Sequence, residues 1–416
     1  MNRSLRRQAN WIVEKAIGAV LPDAAVIRAL EEMRFPGRVI LVAAGKAAWQ
    51  MANAAWNCLD GRIDGGIVIT KYGHVKGPIG NLLCREAGHP VPDEQGFSAT
   101  REALELVCGL KETDTVLFLL SGGGSALFED PLIPGAQLQD ITAQLLACGA
   151  EITEINTIRK RLSRVKGGRF AQLCQPARVC AVVLSDIIGD PLDMIASGPA
   201  CPDSSTCRQA LEIAEKYRLR ISEEAWDCLR QETPKELSNV ATRITGSVRQ
   251  LCAGAAEAAR KLGYEPRILT DRLCCEAKDA GAWLASVAAE HYGSGEKLAF
   301  IAGGETVVKL TGSGKGGRNQ ELALAAAAGI EGMSGVCIFS VGSDGTDGPT
   351  DAAGGYVDGT TAGELRRRDI DLAQVLENND AYHGLQQTDG LIFTGPTGTN
   401  VNDVAVVLLN PTNQEG

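Results

Sequence analysis

Arg38–Leu59 reads RVILVAAGKAAWQMANAAWNCL: an unbroken apolar run, the pair Gly45-Lys46, then a stretch of helical character. A strand this short, with no polar residue alternating in it, is buried on both faces. Parallel sheets with helices on each side bury strands in that way. The pattern returns at Gly66–Thr70, Asp114–Leu120 and Ala177–Leu184. Helices are expected over Leu138–Gly149, Ile155–Cys174 and Cys207–Lys216. From Glu224 to about Thr245 strand character gives way to Pro234 and polar residues, and the domain transition is placed there. A second α/β series follows, with helices over Ser247–Leu262 and Ala277–His291. Its strands are expected near Pro266–Thr270 and at Lys297–Ile301, Thr306–Leu310, Val336–Val341 and Val404–Leu409. No repeat of solenoid period is visible.

Composition narrows the classes. At 416 residues the chain exceeds one ordinary core, so two domains are expected, 1–240 and 241–416. A hydrophobic fraction of 44% with 22% charged residues is that of a soluble globular protein. The net charge of −10 argues against a nucleic-acid or anionic-membrane surface. The 48 glycines gather at strand ends, where backbone-lined loops bind ligands. Thirteen cysteines are scattered without a C-x-x-C pair, and the four histidines have no metal spacing, so neither a disulfide framework nor a zinc site is expected. The opening MNRSLRRQANWIVEKAIGAVL is interrupted by Glu14 and Lys15 and reads as an amphipathic helix, not a secretion signal or membrane span. A cytoplasmic protein is the expectation.

In open α/β sheets ligands bind beyond the carboxyl ends of the strands, so the residues following each strand carry the chemistry. These are Gly45-Lys46, Ser121-Gly-Gly-Gly-Ser125, Ser185-Asp186 with Asp190, the loop TGSGKGGRNQE after Leu310, which leads into an expected amphipathic helix, and GSDGTDGPTD after Val341. Glycines without Cβ let N–H groups converge on an anion at a helix start. Ser121, Gly122, Gly123, Gly124 and Ser125 form one such candidate nest, and Gly314, Lys315, Gly316 and Gly317 the other. Asp344, Asp347 and Asp351 could bring a divalent cation, although Asp-Gly pairs are also turn formers. Arg159, Ser163 and Lys166 stand at i, i+4, i+7, which would put two cations and a hydroxyl on one helix face. Gly312-x-Gly314-x-x-Gly317 also matches a dinucleotide fingerprint, which leaves a dehydrogenase open. Gly45-Lys46 lacks the upstream glycine and the following Ser/Thr of a P-loop.

The segments GKAAWQM, AGHPVPDE, SGGGSALFEDP, NTIRKRLSRVKGGRFA, LSDIIGDPLDMIASGP, GGETVVKLTGSGKGGRNQELAL, GSDGTDGPTDAAG and TGPTGTNVNDVAV occur in that order. Together they resemble the glycerate 2-kinase family, whose C-terminal portion is the MOFRL domain (about 297–410 here). The resemblance covers nearly the whole chain. It implies a Rossmann-like parallel-sheet N-terminal domain, a smaller α/β C-terminal domain, and an active site in the interdomain cleft. It implies ATP- and Mg²⁺-dependent phosphorylation of D-glycerate at O2, with Lys46 and Arg318 as the catalytic pair. Some relatives carry the label hydroxypyruvate reductase, which keeps NAD(P)H-dependent reduction as the alternative.

On that reading Ser121–Ser125 and Gly314–Gly317 hold nucleotide phosphates, and Lys46 balances charge on the transferred group. Arg318 clamps the substrate carboxylate or the phosphoryl. Asp186, assigned a catalytic role, and Asp190 are the first candidates for Mg²⁺ or for activating the O2 hydroxyl, with Asp344 and Asp347 next for the metal; Arg159, Lys166 and Asn319 are assigned to the substrate. The expected partners are D-glycerate and, by default, a second copy of the chain.

Overall fold

The computed structural model describes residues 1–31 and 33–411. By its contacts the chain divides into two compact units, Pro22–Thr245 and Met1–Leu21 with Gly246–Gly416. Among the described residues no helix is long and apolar enough to cross a membrane.

The Pro22–Thr245 unit is built on strands β1 (Val39–Ala44), β2 (Gly65–Lys71), β3 (Leu83–Ala87), β4 (Thr115–Leu120), β5 (Arg178–Leu184) and β6 (Val240–Gly246), in the order β3-β2-β1-β4-β5-β6. The pairings among β1 to β5 are all parallel. Every residue of β1 and β4 is buried. The pleat explains why both faces are apolar. Ile40, Val42 and Ala44 join one core with Phe118, Phe128 and Phe170, whereas Val39, Leu41 and Ala43 join another with Met51 and Ala52. Each phenylalanine buried in this way contributes roughly 2–3 kcal/mol. Their rings meet at centroid distances of 4.8 to 5.5 Å. β6 forms where the sequence loses strand character; its residues are mostly half-buried at the sheet edge, so no apolar run marks it.

The second unit holds β7 (Glu265–Leu273), β8 (Leu298–Gly304), β9 (Val336–Gly342), β10 (Gly354–Asp358), β11 (Leu391–Ile392) and β12 (Asp403–Leu409), in the order β11-β10-β9-β12-β8-β7. β7 runs parallel to β8, but β12 lies antiparallel between β8 and β9. Its first residue, Asp403, therefore stands opposite Gly304 and Gly342, at the carboxyl ends of both neighbours. The helix Arg3–Ala19 belongs to this unit, whereas the sequence reading kept it with the residues that follow it in the chain. Its stripe of Leu5, Ala9, Ile12, Val13 and Ala16 packs with the alanine-rich helix Val248–Lys261. Gly254 there permits the approach, since a Cβ would stand 2.9 Å from Ala19 Cβ.

Three local expectations give way. Thr306–Leu310 is no strand: both edges of β8 are already paired, and the segment makes one isolated bridge, Val307 to Glu276, with Leu310 80% exposed. The single helix expected over Ile155–Cys174 is two, Ile152–Arg161 and Arg169–Leu173, separated by a turn in which Gly167 and Gly168 have φ of +57° and +84°. Arg159, Ser163 and Lys166 therefore share no helix face. The helix Arg318–Gly329, expected to be amphipathic, is buried nearly all round, from Asn319 to Leu324 and again at Ala326 and Ala327.

Candidate active site

In the Pro22–Thr245 unit the loops after β1 and β4 are stitched together. Ser121 N–H donates to the Ala44 carbonyl (3.0 Å), Lys46 N–H to the Gly122 carbonyl (2.9 Å), and Ala47 N–H to Ser121 Oγ (3.0 Å). Gly45 has φ +123°, and a Cβ on it would stand 2.3 Å from Ser121 Oγ, so only glycine allows this closeness. The turn presents Lys46, a half-buried cation whose ammonium has no hydrogen bond or ion pair among the described residues. Beside it, the N–H groups of Gly122 and Gly123 reach no acceptor among the described residues. Asp186 packs against Gly122, and His89 and the Lys46 stem pack against Gly123.

The same loop is held from beneath. Arg159 Nη2 (2.8 Å) and Lys166 Nζ (2.9 Å) both donate to the Ser125 carbonyl, and Lys166 also to that of Phe128 (3.1 Å). Glu129, fully buried, lies 3.5 Å from Lys166 Nζ and 3.8 Å from Arg159 Nη2. Burial pushes the Lys166 ammonium down to about 8, against the pull of Glu129. Lys166 is thus turned wholly into the protein, where it positions the loop. Ser125 Oγ meets Ser197 Oγ at 3.3 Å, and Ser197 donates to Asn156 Oδ1 (2.8 Å). After β5, Asp190 adopts φ +52° and carries a buried Oδ1 with no hydrogen-bond partner among the described residues. Lys160 bridges Asp193 (3.3 Å) and Asp203 (3.0 Å), tying this segment to the helix Ile152–Arg161.

The second unit gathers charge around Arg318, the first residue of its buried helix. Nε and Nη2 of Arg318 donate to the two oxygens of Asp403 (2.5 and 3.1 Å), and Nη1 donates to Glu305 (2.9 Å). Burial works against the charge of Arg318, but the two-point bond to Asp403 outweighs it and pushes the guanidinium pKa up. Burial also raises the Asp403 carboxyl, opposed by the same bond; the geometry is that of an ionised pair.

The glycine loop before Arg318 is not an open nest. Its N–H groups are engaged by Asn378-Asn379-Asp380. Thr311 and Gly312 donate to Asn379 Oδ1 (2.7 and 2.9 Å), Ser313 to Asn378 Oδ1 (3.1 Å), Gly314 to the Asn378 carbonyl (2.9 Å) and Lys315 to Asp380 Oδ1 (2.8 Å). A Cβ on Gly312 or Gly314 would come within 2.6 Å of this segment, so these glycines serve close packing. The Lys315 ammonium sits 4.3 Å from the Tyr382 ring centroid. Of the four phosphate candidates here, only Gly316 and Gly317 keep N–H groups without an acceptor among the described residues.

The aspartate loop divides likewise. Asp347 accepts from the N–H of Asn319 (3.1 Å) and of Gln320 (2.8 Å), capping the helix Arg318–Gly329 with both oxygens, and burial pushes its carboxyl up to about 6. Asn319 is buried between Asp347 and Ser340 (3.2 and 2.6 Å), its side chain oriented inward. Asp344 closes a turn onto Thr346 N–H (3.0 Å), and Asp351 accepts from Tyr382 (2.8 Å). Among the described residues no group of three or more His, Cys, Asp or Glu stands together as a ready metal cage.

Sequence reasoning missed Asp403, Glu305 and His89. All three lay inside quoted segments, TGPTGTNVNDVAV, GGETVVKLTGSGKGGRNQELAL and AGHPVPDE, but only the fold shows what they face.

Comparison with known proteins agrees along the chain. Residues 8–230 match the model of a domain of unknown function (DUF4147), and residues 298–403 that of the MOFRL family. A D-glycerate 2-kinase of Thermotoga maritima is 53% identical over 412 residues, 98% of this chain and 99% of that protein. A glycerate 2-kinase of Pyrococcus horikoshii is 39% identical over 427 residues, 96% of each. The crystal structure of a glycerate kinase from Thermotoga maritima superposes with a TM-score of 0.93 at 52% identity, covering 98% of this chain and 99% of that one.

Proposed function

The chain belongs to the glycerate 2-kinase family with a C-terminal MOFRL domain, and from that premise we propose that it transfers the terminal phosphoryl group of ATP to the 2-hydroxyl of D-glycerate, releasing ADP. The observation that carries this reading is the anion cradle after β1 and β4. There a lysine without a counter-ion adjoins two glycine N–H groups without acceptors, among the described residues.

Phosphoryl transfer asks for positioning and charge neutralisation more than for covalent work by the protein. The N–H groups of Gly122 and Gly123, at the head of the turn Gly124–Ser125, are placed to take phosphate oxygens, and Lys46 to balance the charge that collects on the transferred group. Arg159 and Lys166 keep that turn in place through the Ser125 carbonyl. Arg318 has five N–H donors, of which Asp403 and Glu305 take three, and its side chain remains 34% exposed. An immobilised fork with donors left over suits a carboxylate or a phosphoryl group.

The donor set fits ATP at Gly122 and Gly123. Mg²⁺ keeps several waters and takes one or two carboxylates beside phosphates. Asp190, with a buried oxygen lacking a hydrogen-bond partner among the described residues, and Asp186, against Gly122, fit that requirement. Bound there, the ion would neutralise phosphate charge. Asp347 does not fit, since its helix cap engages both oxygens.

Reduction with a nicotinamide cofactor would need the Gly312–Gly317 loop as a pyrophosphate cradle, and most of its N–H groups are engaged internally. All thirteen cysteines are free, which suits a reducing compartment, and we take the cytoplasm as the location. A homodimer is the default assembly, checked by sedimentation.

The test is turnover of D-glycerate with MgATP, coupled separately through enolase and through phosphoglycerate kinase. Signal through enolase without added mutase supports the reading. Signal through phosphoglycerate kinase alone moves the product to the 3-position, and NADH oxidation by hydroxypyruvate without kinase signal overturns it.

A further inference from the structure

One group at the Lys46 cradle has no role in the reaction as described. His89 follows β3, and the edge of its ring packs on the Gly123 backbone: a Cβ built on Gly123 would stand 2.9 Å from both Nε2 and Cδ2 of His89 and 3.2 Å from Lys46 Cγ. Lys46 and His89 therefore flank one glycine, whose N–H has no acceptor among the described residues. The His89 imidazole itself makes no hydrogen bond among the described residues, unlike His74, whose Nδ1 meets the Lys46 carbonyl at 3.1 Å. The ring is half-buried, so this edge is neither packed away nor freely solvated.

We infer that His89 is a further catalytic residue, whose ring nitrogen accepts the proton of the attacking hydroxyl at the Lys46 and Gly122–Gly123 cradle. This rests on the phosphotransfer reading above. In the step, the hydroxyl O–H breaks and its proton passes to the imidazole while the new O–P bond forms. The bond from phosphorus to the bridging oxygen breaks with its electron pair, and ADP leaves. Of the groups flanking Gly122 and Gly123, Lys46 is a cation with no lone pair to offer, and Asp186 is a carboxylate suited to a metal. The neutral imidazole is left as acceptor. Burial, followed by Lys46 and Lys71, lowers the His89 pKa, with Asp186 opposing; these are the charged groups that face it. The shift favours the neutral ring, the form that can accept a proton.

The test uses the full chain with MgATP and D-glycerate. His89→Gln should keep its melting temperature and lose about 10²- to 10⁴-fold in kcat. The wild-type kcat/KM profile should fall on its acid side with a midpoint below the usual histidine value of about 6.5, and that limb should be absent in His89→Gln. A variant within about threefold of wild-type kcat, or one retaining the same acid limb, overturns the inference. If His89→Gln fails to fold, imidazole NMR of the wild type decides. With four histidines in the chain, His74→Gln, His291→Gln and His383→Gln assign the His89 signal by elimination. A signal that shifts on adding a non-hydrolysable ATP analogue with D-glycerate supports the role, and one that stays still overturns it. An inactive wild type removes the phosphotransfer reading itself, whereas an active wild type with an active variant removes only His89.

Discussion

The chain contains two glycine-rich loops that precede helices and carry or adjoin a lysine, Ser121–Ser125 and Gly312–Gly317, and they behave oppositely. In the first, the glycines beside Lys46 keep N–H groups without acceptors among the described residues, and half-buried Arg159 and buried Lys166 fix the backbone from below. In the second, four successive N–H groups, and that of Thr311 just before them, are engaged by Asn378-Asn379-Asp380, and the glycines admit that segment at close range. Glycine content permits a nest but does not create one; a loop becomes a ligand site only where its donors are left unanswered.

Kinetics should separate the two loops most strongly through their lysines. Lys46→Ala is expected to lower kcat by about 10²- to 10⁴-fold while melting like wild type, because its ammonium anchors nothing in the fold. Lys315→Ala, which gives up a surface cation–π contact, should stay within about threefold. A Lys315→Ala loss as deep as that of Lys46→Ala would mean the second loop also serves the phosphates.

Stability should reverse the order. Asn379 is 5% exposed; its Oδ1 accepts from Thr311 and Gly312, and its Nδ2 donates to Lys309 O and Glu321, at 3.1 Å each. Asn379→Ala removes these four hydrogen bonds at once and takes a donor from buried Glu321, and should cost about 2–4 kcal/mol, read by denaturant unfolding. No such cost should follow Lys46→Ala. A smaller effect comes from the glycines themselves. Gly314→Ala forces a Cβ to 2.5 Å from Asp380 Cβ and should destabilise by about 1–3 kcal/mol without changing the KM for ATP. Gly123→Ala, at φ +86°, should instead raise that KM or lower kcat at least tenfold. Equal kinetic damage from both would erase the contrast.

How much of this was legible beforehand follows from where the information sits. β1 and β4 could be read because an uninterrupted apolar run is its own signal, as could the helix Ala277–His291. The unit that Arg3–Ala19 joins could not, because its partner helix lies far along the chain and its stripe fits any apolar surface. Lys46, Arg318 and Ser121–Ser125 were found from strand-end position and resemblance. Asp403 escaped because β12 looks like any apolar strand; only its antiparallel insertion carries its first residue to the carboxyl ends of β8 and β9. Thr306–Leu310 looked like a strand by composition, but β8, the strand it follows, is already paired on both edges.

The least conspicuous difference lies in the aspartates. Asp190 keeps an oxygen without a hydrogen-bond partner among the described residues, whereas Asp347 has committed both oxygens to a helix start. Burial holds the Asp347 carboxyl at about 6, above its unfolded value. The native state therefore binds a proton that the unfolded chain does not over the interval between those values. Stability from this group is greatest at low pH and is lost as pH rises through 6, by about 1 kcal/mol between pH 5 and pH 7. Asp347→Asn keeps an acceptor for the helix N–H groups but cannot titrate, so its stability relative to wild type should improve by that amount across the same interval. Chemical denaturation at the two pH values measures it. A parallel pair of profiles would mean the Asp347 carboxylate is stabilised by more than the helix N-terminus, and would return it to the candidates for holding a cation.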